Sequence, residues 1–203
     1  MRADEEAPRG LRERKKQETR DALSWAVIRL SAERGWGNVT VADVAAAANV
    51  SERTFRNYFS GKAEALAARH LDRMLRIAAE LRERPGDEPL WDAITNTVGS
   101  QFVGGQPQSK QWTDAVQLML TEPEVEQGFV KATVTAQREF AAVIAARTGT
   151  DVVRDLYPNL VAATMGAGIG AVMEHWLHAD PPVAIGELMR EAFERLGAGL
   201  PVP

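Results

Sequence analysis

Residues 40–59 read TVADVAAAANVSERTFRNYF, and the reading of this stretch decides the fold. Val41, Val44, Ala45 and Ala48 recur at i, i+3, i+4 and i+7, which predicts one short helix. Thr40 and Asp43 supply a T-x-x-D capping signature at its start. Asn49 follows, a residue that tolerates the left-handed backbone of a tight turn. Ser51 then caps a further helix of roughly seven residues. Isolated helices shorter than about 12–15 residues are marginal in water, so both must pack on something. On a wheel of about 100° per residue, Glu52, Arg56, Arg53 and Asn57 span roughly 0° to 140°. Thr54, Phe55, Tyr58 and Phe59 fill the other half. Phe55 and Phe59 are therefore expected to pack on Val44, Ala45 and Val50, with a polar blade facing outward.

Two short helices, one steadying and one presenting polar side chains, make a helix-turn-helix, whose second helix enters the DNA major groove. Arginine suits guanine edges and asparagine suits adenine edges. Thr40, Tyr58 and Lys62 sit where hydroxyls and an ammonium reach flanking phosphates. The candidate DNA-contacting set is Thr40, Ser51, Glu52, Arg53, Thr54, Arg56, Asn57, Tyr58 and Lys62.

The longer run TVADVAAAANVSERTFRNYFSGKAEAL resembles the DNA-binding domain of the TetR family of bacterial regulators. That family's pattern is approximately T-x-x-x-I-A-x-x-A-G-V-S-x-x-T-F/L-Y-x-Y-F-x-x-K-x-x-L. Thr40, Val44, Ala45, Ala48, Val50, Ser51, Thr54, Phe55, Tyr58, Phe59, Lys62 and Leu66 match it or substitute conservatively. Asn49 replaces the usual glycine, Gly61 a common serine, and Arg56 an aromatic residue. The resemblance covers about residues 15–66. It implies a regulator, most often a repressor, whose C-terminal body dimerises and holds a small-molecule effector.

Upstream, Leu23, Ala26, Val27 and Leu30 keep helical spacing, so a first helix is expected from about Leu11 to Arg34, stopped by Gly35. Residues 1–10 read as a disordered tail, 11–61 as the helix-turn-helix domain and 62–203 as the effector-binding and dimerisation domain. Arg9 to Lys62 holds 11 basic and 6 acidic residues, a net of +5, whereas Ala63 to Pro203 nets −7. A basic head and an acidic body fit a chain that meets polyanion at one end only. The run Arg12 to Lys16, RERKK, resembles N-terminal extensions that touch phosphates, or else is a solvated helix start. There is no cysteine, which removes disulfides and thiol chemistry and suits a reducing cytoplasm. The charge from Arg2 onward does not fit a signal peptide. Leu156 to Met173 is uncharged but short for a membrane span and contains Pro158 and glycines, so no membrane partner is expected.

Downstream the whole chain reads as all-α. A long amphipathic helix from Gly61 to Arg84 joins head to body. Further helices are expected near 88–103, 110–120, 122–147, 158–179 and 183–197, separated at 104–107, 122–123, 148–150 and 181–182. Trp91, Phe102, Trp112, Met119, Phe129, Met173 and Trp176 supply bulky apolar surface, and Arg138 a charge, for a largely apolar effector site. His70 and Glu174 are further titratable candidates. Ala163, Gly166, Ala167 and Gly170 would let the helix from Pro158 approach a symmetry mate, together with the helix from Val183, in a homodimer on a palindromic operator. His175, His178 and Asp180 suggest a metal only weakly, and none is expected, nor any cofactor. No nucleophile elbow, phosphate loop, dinucleotide fingerprint or H-E-x-x-H motif is present, so an enzyme is not expected. The alternative is a helical-bundle enzyme or carrier of a hydrophobic molecule with an N-terminal unit that does not bind DNA.

Overall fold

The computed structural model describes residues 6–102, 110–180 and 183–201, with side chains for all of these except 6–10, 12, 13 and 110–112. The described residues are all-α, as the periodicity requires, with one 3-10 turn. The elements are α1 (Glu6–Arg34), the 3-10 turn Trp36–Asn38, α2 (Val41–Ala47), α3 (Glu52–Tyr58) and α4 (Lys62–Glu83). They continue with α5 (Leu90–Ser100), α6 (Lys110–Leu120), α7 (Pro123–Thr148), α8 (Leu156–His178) and α9 (Ile185–Gly197). Two expectations on boundaries need correction. Residues 6–10, read as a tail, belong to α1. α8 starts at Leu156, ahead of Pro158, because proline in a first turn gives up an N–H that has no partner there anyway. The separators expected at 104–107 and 181–182 lie outside the described residues.

Local chemistry sets the head. Gly35, at φ 83, ends α1 in a conformation that costs a side chain strain. Thr40 and Asp43 close the full capping box of α2. Asn49 takes φ 54, and the Val50 N–H donates back to the Ala45 carbonyl at 2.9 Å, so the turn folds α3 across α2. Ser51 accepts from the Thr54 N–H at 3.0 Å to start α3. Gly61 gives α4 no side-chain cap, but the Ser60 N–H and hydroxyl both donate to Glu64 Oε2 one turn in.

Two apolar clusters form. In the first, Leu23, Val27 and Leu30 of α1 meet Val44 and Ala45 of α2 and Phe55 and Phe59 at α3, all at most 2% exposed. The same cluster runs on into Met119 of α6, Val125 of α7 and Leu177 of α8. The second cluster fills the body with Ile77 and Leu81 of α4, Ile94 of α5, Phe140 and Ile144 of α7, Met165 of α8 and Phe193 of α9. α7 packs tightly on α4 at Gly128, where an added Cβ would sit 3.0 Å from the Ala67 methyl. Arg147 near the end of α7 donates to the carbonyls of Leu81, Arg84, Pro85 and Glu88, and so holds the turn after α4.

Candidate nucleic-acid interface

α3 is seven residues long, and its two halves part as the wheel requires. Phe55 is fully buried and Phe59, just after it, is 2% exposed, their rings 5.8 Å apart. Ser51, Glu52, Arg53, Arg56 and Asn57 are all exposed. Arg56 makes a long ion pair to Glu52, at 3.9 Å, across one turn. Such exposed pairs hold weakly, so Arg56 is free to leave for a better acceptor. Among the described residues Arg53 forms no ion pair. Thr54 is half-buried, its hydroxyl 2.9 Å from the Ser51 hydroxyl, so it serves the start of the helix. Tyr58 is half-buried with its ring 6.3 Å from that of Phe59.

Thr40 is exposed, but both its N–H and its hydroxyl point to Asp43 Oδ2. These bonds, with Arg34 3.5 Å away, hold the Asp43 carboxyl below its usual range. Lys62 departs from its expected place at a phosphate. Its ammonium donates to the Trp36 carbonyl at 2.7 Å and lies over the Trp36 ring, 4.3 Å from the centroid. Burial lowers its pKa, while Glu124 and Glu122 oppose that shift. The Trp36 indole N–H in turn donates to Glu124 Oε1 at 2.9 Å. Lys62, Trp36 and Glu124 therefore clasp the head to the first turn of α7. The sequence reading assigned no role to Trp36 or Glu124, and nothing local to either residue announces the pairing.

The expected effector residues do not gather in one place. Phe102 is buried beside α4, with the Arg73 guanidinium 4.6 Å from its ring centroid. Met119, Phe129 and Trp176 belong to the cluster that continues from the head. Phe129 stacks on His70 at 4.9 Å and 26°. The Trp176 indole donates to the Val183 carbonyl at 3.0 Å. Met173 packs on the body core. Trp91 lines an open groove of about 500 Å³ between α5 and α9, among Glu88, Asp92, Thr95 and Glu194. Arg138 is exposed. The side chain of Trp112 lies outside the described residues. Periodicity identifies which face of a helix is apolar, but not which neighbour that face meets.

α8 is long and apolar enough to cross a membrane by length and composition, yet its buried side chains pack into the two cores, Val161, Ala162, Met165, Ile169 and Val172 into the body and Leu177 into the cluster that reaches the head. Its other face is open: Leu156 is 76% exposed and Leu160 55%, followed along the helix by exposed Ala163, Ala167, Gly170 and Ala171. Gly166, expected on that face, instead meets Gln137 and Thr133 of α7. α9 turns exposed Glu187, Arg190, Glu191, Glu194 and Arg195 outward, so the open apolar surface belongs to α8. His178 is bonded to Gln117 and to the Glu174 carbonyl, and no cluster of three or more metal-ligating residues occurs among the described residues.

Comparison with known proteins agrees with this geometry. The family model described as "Bacterial regulatory proteins, tetR family" matches residues 26–68. The model described as "MftR C-terminal domain" matches residues 88–201. The chain is 26% identical over 187 residues to the mycofactocin biosynthesis transcriptional regulator MftR of Mycobacterium tuberculosis, covering 92% of this chain and 93% of that one. It is 28% identical over 194 residues to the HTH-type transcriptional regulator TcmR of Streptomyces glaucescens, covering 91% and 84%. A TetR-family regulator from Rhodococcus sp. has the same fold, at TM-score 0.59 and 22% identity, over 91% of this chain and all of that one.

Proposed function

Because the chain belongs to the TetR family of bacterial regulatory proteins, we propose that it is a homodimeric repressor that leaves a palindromic operator when its body binds a small, largely apolar effector. Regulating transcription by binding DNA is what the family does; the repressor sense, the dimer and the effector are this reading. No catalytic step is part of it, and the protein acts in the cytoplasm, where the DNA is. The observation that carries it is the division of α3, with Phe55 and Phe59 buried while Arg53, Arg56 and Asn57 face outward. Their exposure supports assigning those three side chains to base edges in a major groove. In this reading Thr40, Ser51 and Tyr58 would reach flanking phosphates, and Lys62 supports the head from within.

A seven-residue reading helix spans too few base pairs to be selective alone, and two-fold symmetry doubles the site. The open face of α8 suits a partner copy, since small residues let helices approach closely. Effector release needs a ligand that prefers one of two conformations. Met119, Phe129 and Trp176 favour coupling, because they lie in the cluster that also holds the head. A tenfold change in DNA affinity needs only about 1.4 kcal/mol of differential binding.

The test is selection of fragments from sheared genomic DNA by the purified protein, followed by footprinting. A roughly palindromic site is expected, with log K falling by about 0.9 per neutralised phosphate for each decade of salt. Arg53→Ala should weaken that site by about 1–3 kcal/mol and relax preference at one position in each half. Retention of no fragment above random DNA at low salt overturns the reading. Light scattering should return twice the chain mass, and Leu160→Glu should shift it toward one.

A further inference from the structure

The core-facing stripe of α4 runs Leu66, His70, Arg73, Ile77 and Leu81, at i, i+4, i+7, i+11 and i+15. Leu66, Ile77 and Leu81 are buried as the stripe demands. The middle of the stripe carries a half-buried histidine and a half-buried arginine instead. A guanidinium in such a place normally has a carboxylate, because an uncompensated charge out of water is unfavourable. Two other charges on α4 do find partners: Asp72 pairs with Arg20 at 2.9 Å, and Arg82 with Glu139. Arg73 has no such partner among the described residues. The charged groups acting on it are Arg69 and Arg76, both cations, and burial with their repulsion pushes its pKa down to about 10.

What does surround Arg73 is aromatic and neutral. Its guanidinium lies over the Phe102 ring, which attracts a cation without cancelling its charge. His70, one turn earlier, stacks on Phe129, and burial and the nearby Arg73 lower its pKa to about 4, so it is a neutral imidazole at pH 7. Arg69 is drawn the other way, over the Trp25 ring at 3.8 Å. Arg73 thus stands over one ring, that of Phe102, with no carboxylate partner, and the ring pair of His70 and Phe129 lies one turn earlier on the helix that joins head to body.

We infer that Arg73, lying over the Phe102 ring with the His70 imidazole and its stacked Phe129 one turn earlier, is an anion-recognising subsite of the effector site, which takes a carboxylate or phosphate carried on an apolar body. This rests on the effector reading above and changes the class of ligand: the effector is an anionic amphiphile rather than a plain hydrophobe. The guanidinium fork matches two oxygens of a carboxylate or phosphate. The rings would lie along the first carbons of the apolar part.

The experiment uses calorimetric titration of the full-length protein with decanoate, decyl phosphate, decanol and decyltrimethylammonium. Decanoate or decyl phosphate is expected to bind at least about tenfold tighter than decanol, and the quaternary amine weaker than decanol. Arg73→Gln should abolish that preference and leave decanol affinity within about twofold, and Arg73→Lys should keep part of it. The melting temperature of unliganded Arg73→Gln should be unchanged or raised, since the cation has no carboxylate to lose. Equal binding of decanol and decanoate to the natural protein overturns the assignment and leaves the apolar-effector reading standing. So does an anion preference that survives in Arg73→Gln. Failure of all four decyl probes to bind overturns both.

Discussion

α3 and α4 are neighbours in the chain and place their arginines in opposite ways. On α3, Arg53 and Arg56 face solvent while the aromatics beside them fill the head. On α4, Arg73 and His70 sit in the stripe that Leu66, Ile77 and Leu81 otherwise give to the core. The contrast follows from where each ligand is. DNA stays outside the protein, so a reading helix can be short, capped at its start and dry underneath. On the proposed reading a small effector would be enclosed, so the groups that recognise it would have to be half-buried, where they lower stability until the ligand arrives. Stability and function pull together in α3 and against one another in α4.

The largest perturbation tests whether the two regions fold together. Phe55→Ala in the head and Phe193→Ala at the far side of the body each remove a fully buried ring. Each should destabilise by about 3–5 kcal/mol. Because one cluster joins the head to α6, α7 and α8, both variants should lower a single thermal transition followed by circular dichroism. A separate early melt in Phe55→Ala alone would break the comparison into two independent units. Arg147→Ala comes next. It strips four carbonyls of their donor at the end of α4 and should cost about 2–3 kcal/mol in urea unfolding, with DNA affinity unchanged.

Acidity sharpens the contrast from the other side. His70 has a folded pKa near 4 against an ordinary 6.5, so the unfolded chain binds the proton first as pH falls. The stability it holds is fully present above about pH 6.5 and is lost as pH falls toward 4. The loss is on the order of 2 kcal/mol once its partial exposure is allowed for. His70→Gln should flatten the stability profile across that window. The smallest effect belongs to the head: Thr40→Ala removes one side of a capping box and should cost about 1 kcal/mol. Asp43, its partner, has a lowered pKa, so its contribution is kept above its ordinary value of 3.8 and lost as pH falls below it.

What could be read from the sequence followed the range of the interactions. The α2–α3 turn was legible because its determinants are local: Thr40 with Asp43, the left-handed Asn49, and Ser51 before an aromatic pair. The effector set was not, because Trp91, Phe129 and Met173 carry the same apolar signal and only packing sends them to different places. Lys62 looked free until Trp36, 26 positions earlier, folded over it. Arg73 lay in plain view at a core position of α4. Arginines on amphipathic helices commonly extend their ends back to water, so spacing alone gave no reason to single it out.

The clasp of Trp36 with Lys62 and Glu124 gives the head a second support. The chain itself hangs the head from the start of α4, and the indole-to-carboxylate bond ties it to the start of α7. A body held at one point could let the head swing through many angles. The head is held at further points too, by Arg20 on Asp72, by Ser24 on the Ala65 carbonyl and by the cluster it shares with α6, α7 and α8, so it rests on α4 and α7 together. A shift of α7 against α4 would therefore be passed to the head directly, much as a push on one bar of a linkage moves the next. In the proposed dimer two such heads would move with their bodies, so the spacing between them would be the quantity that an effector sets.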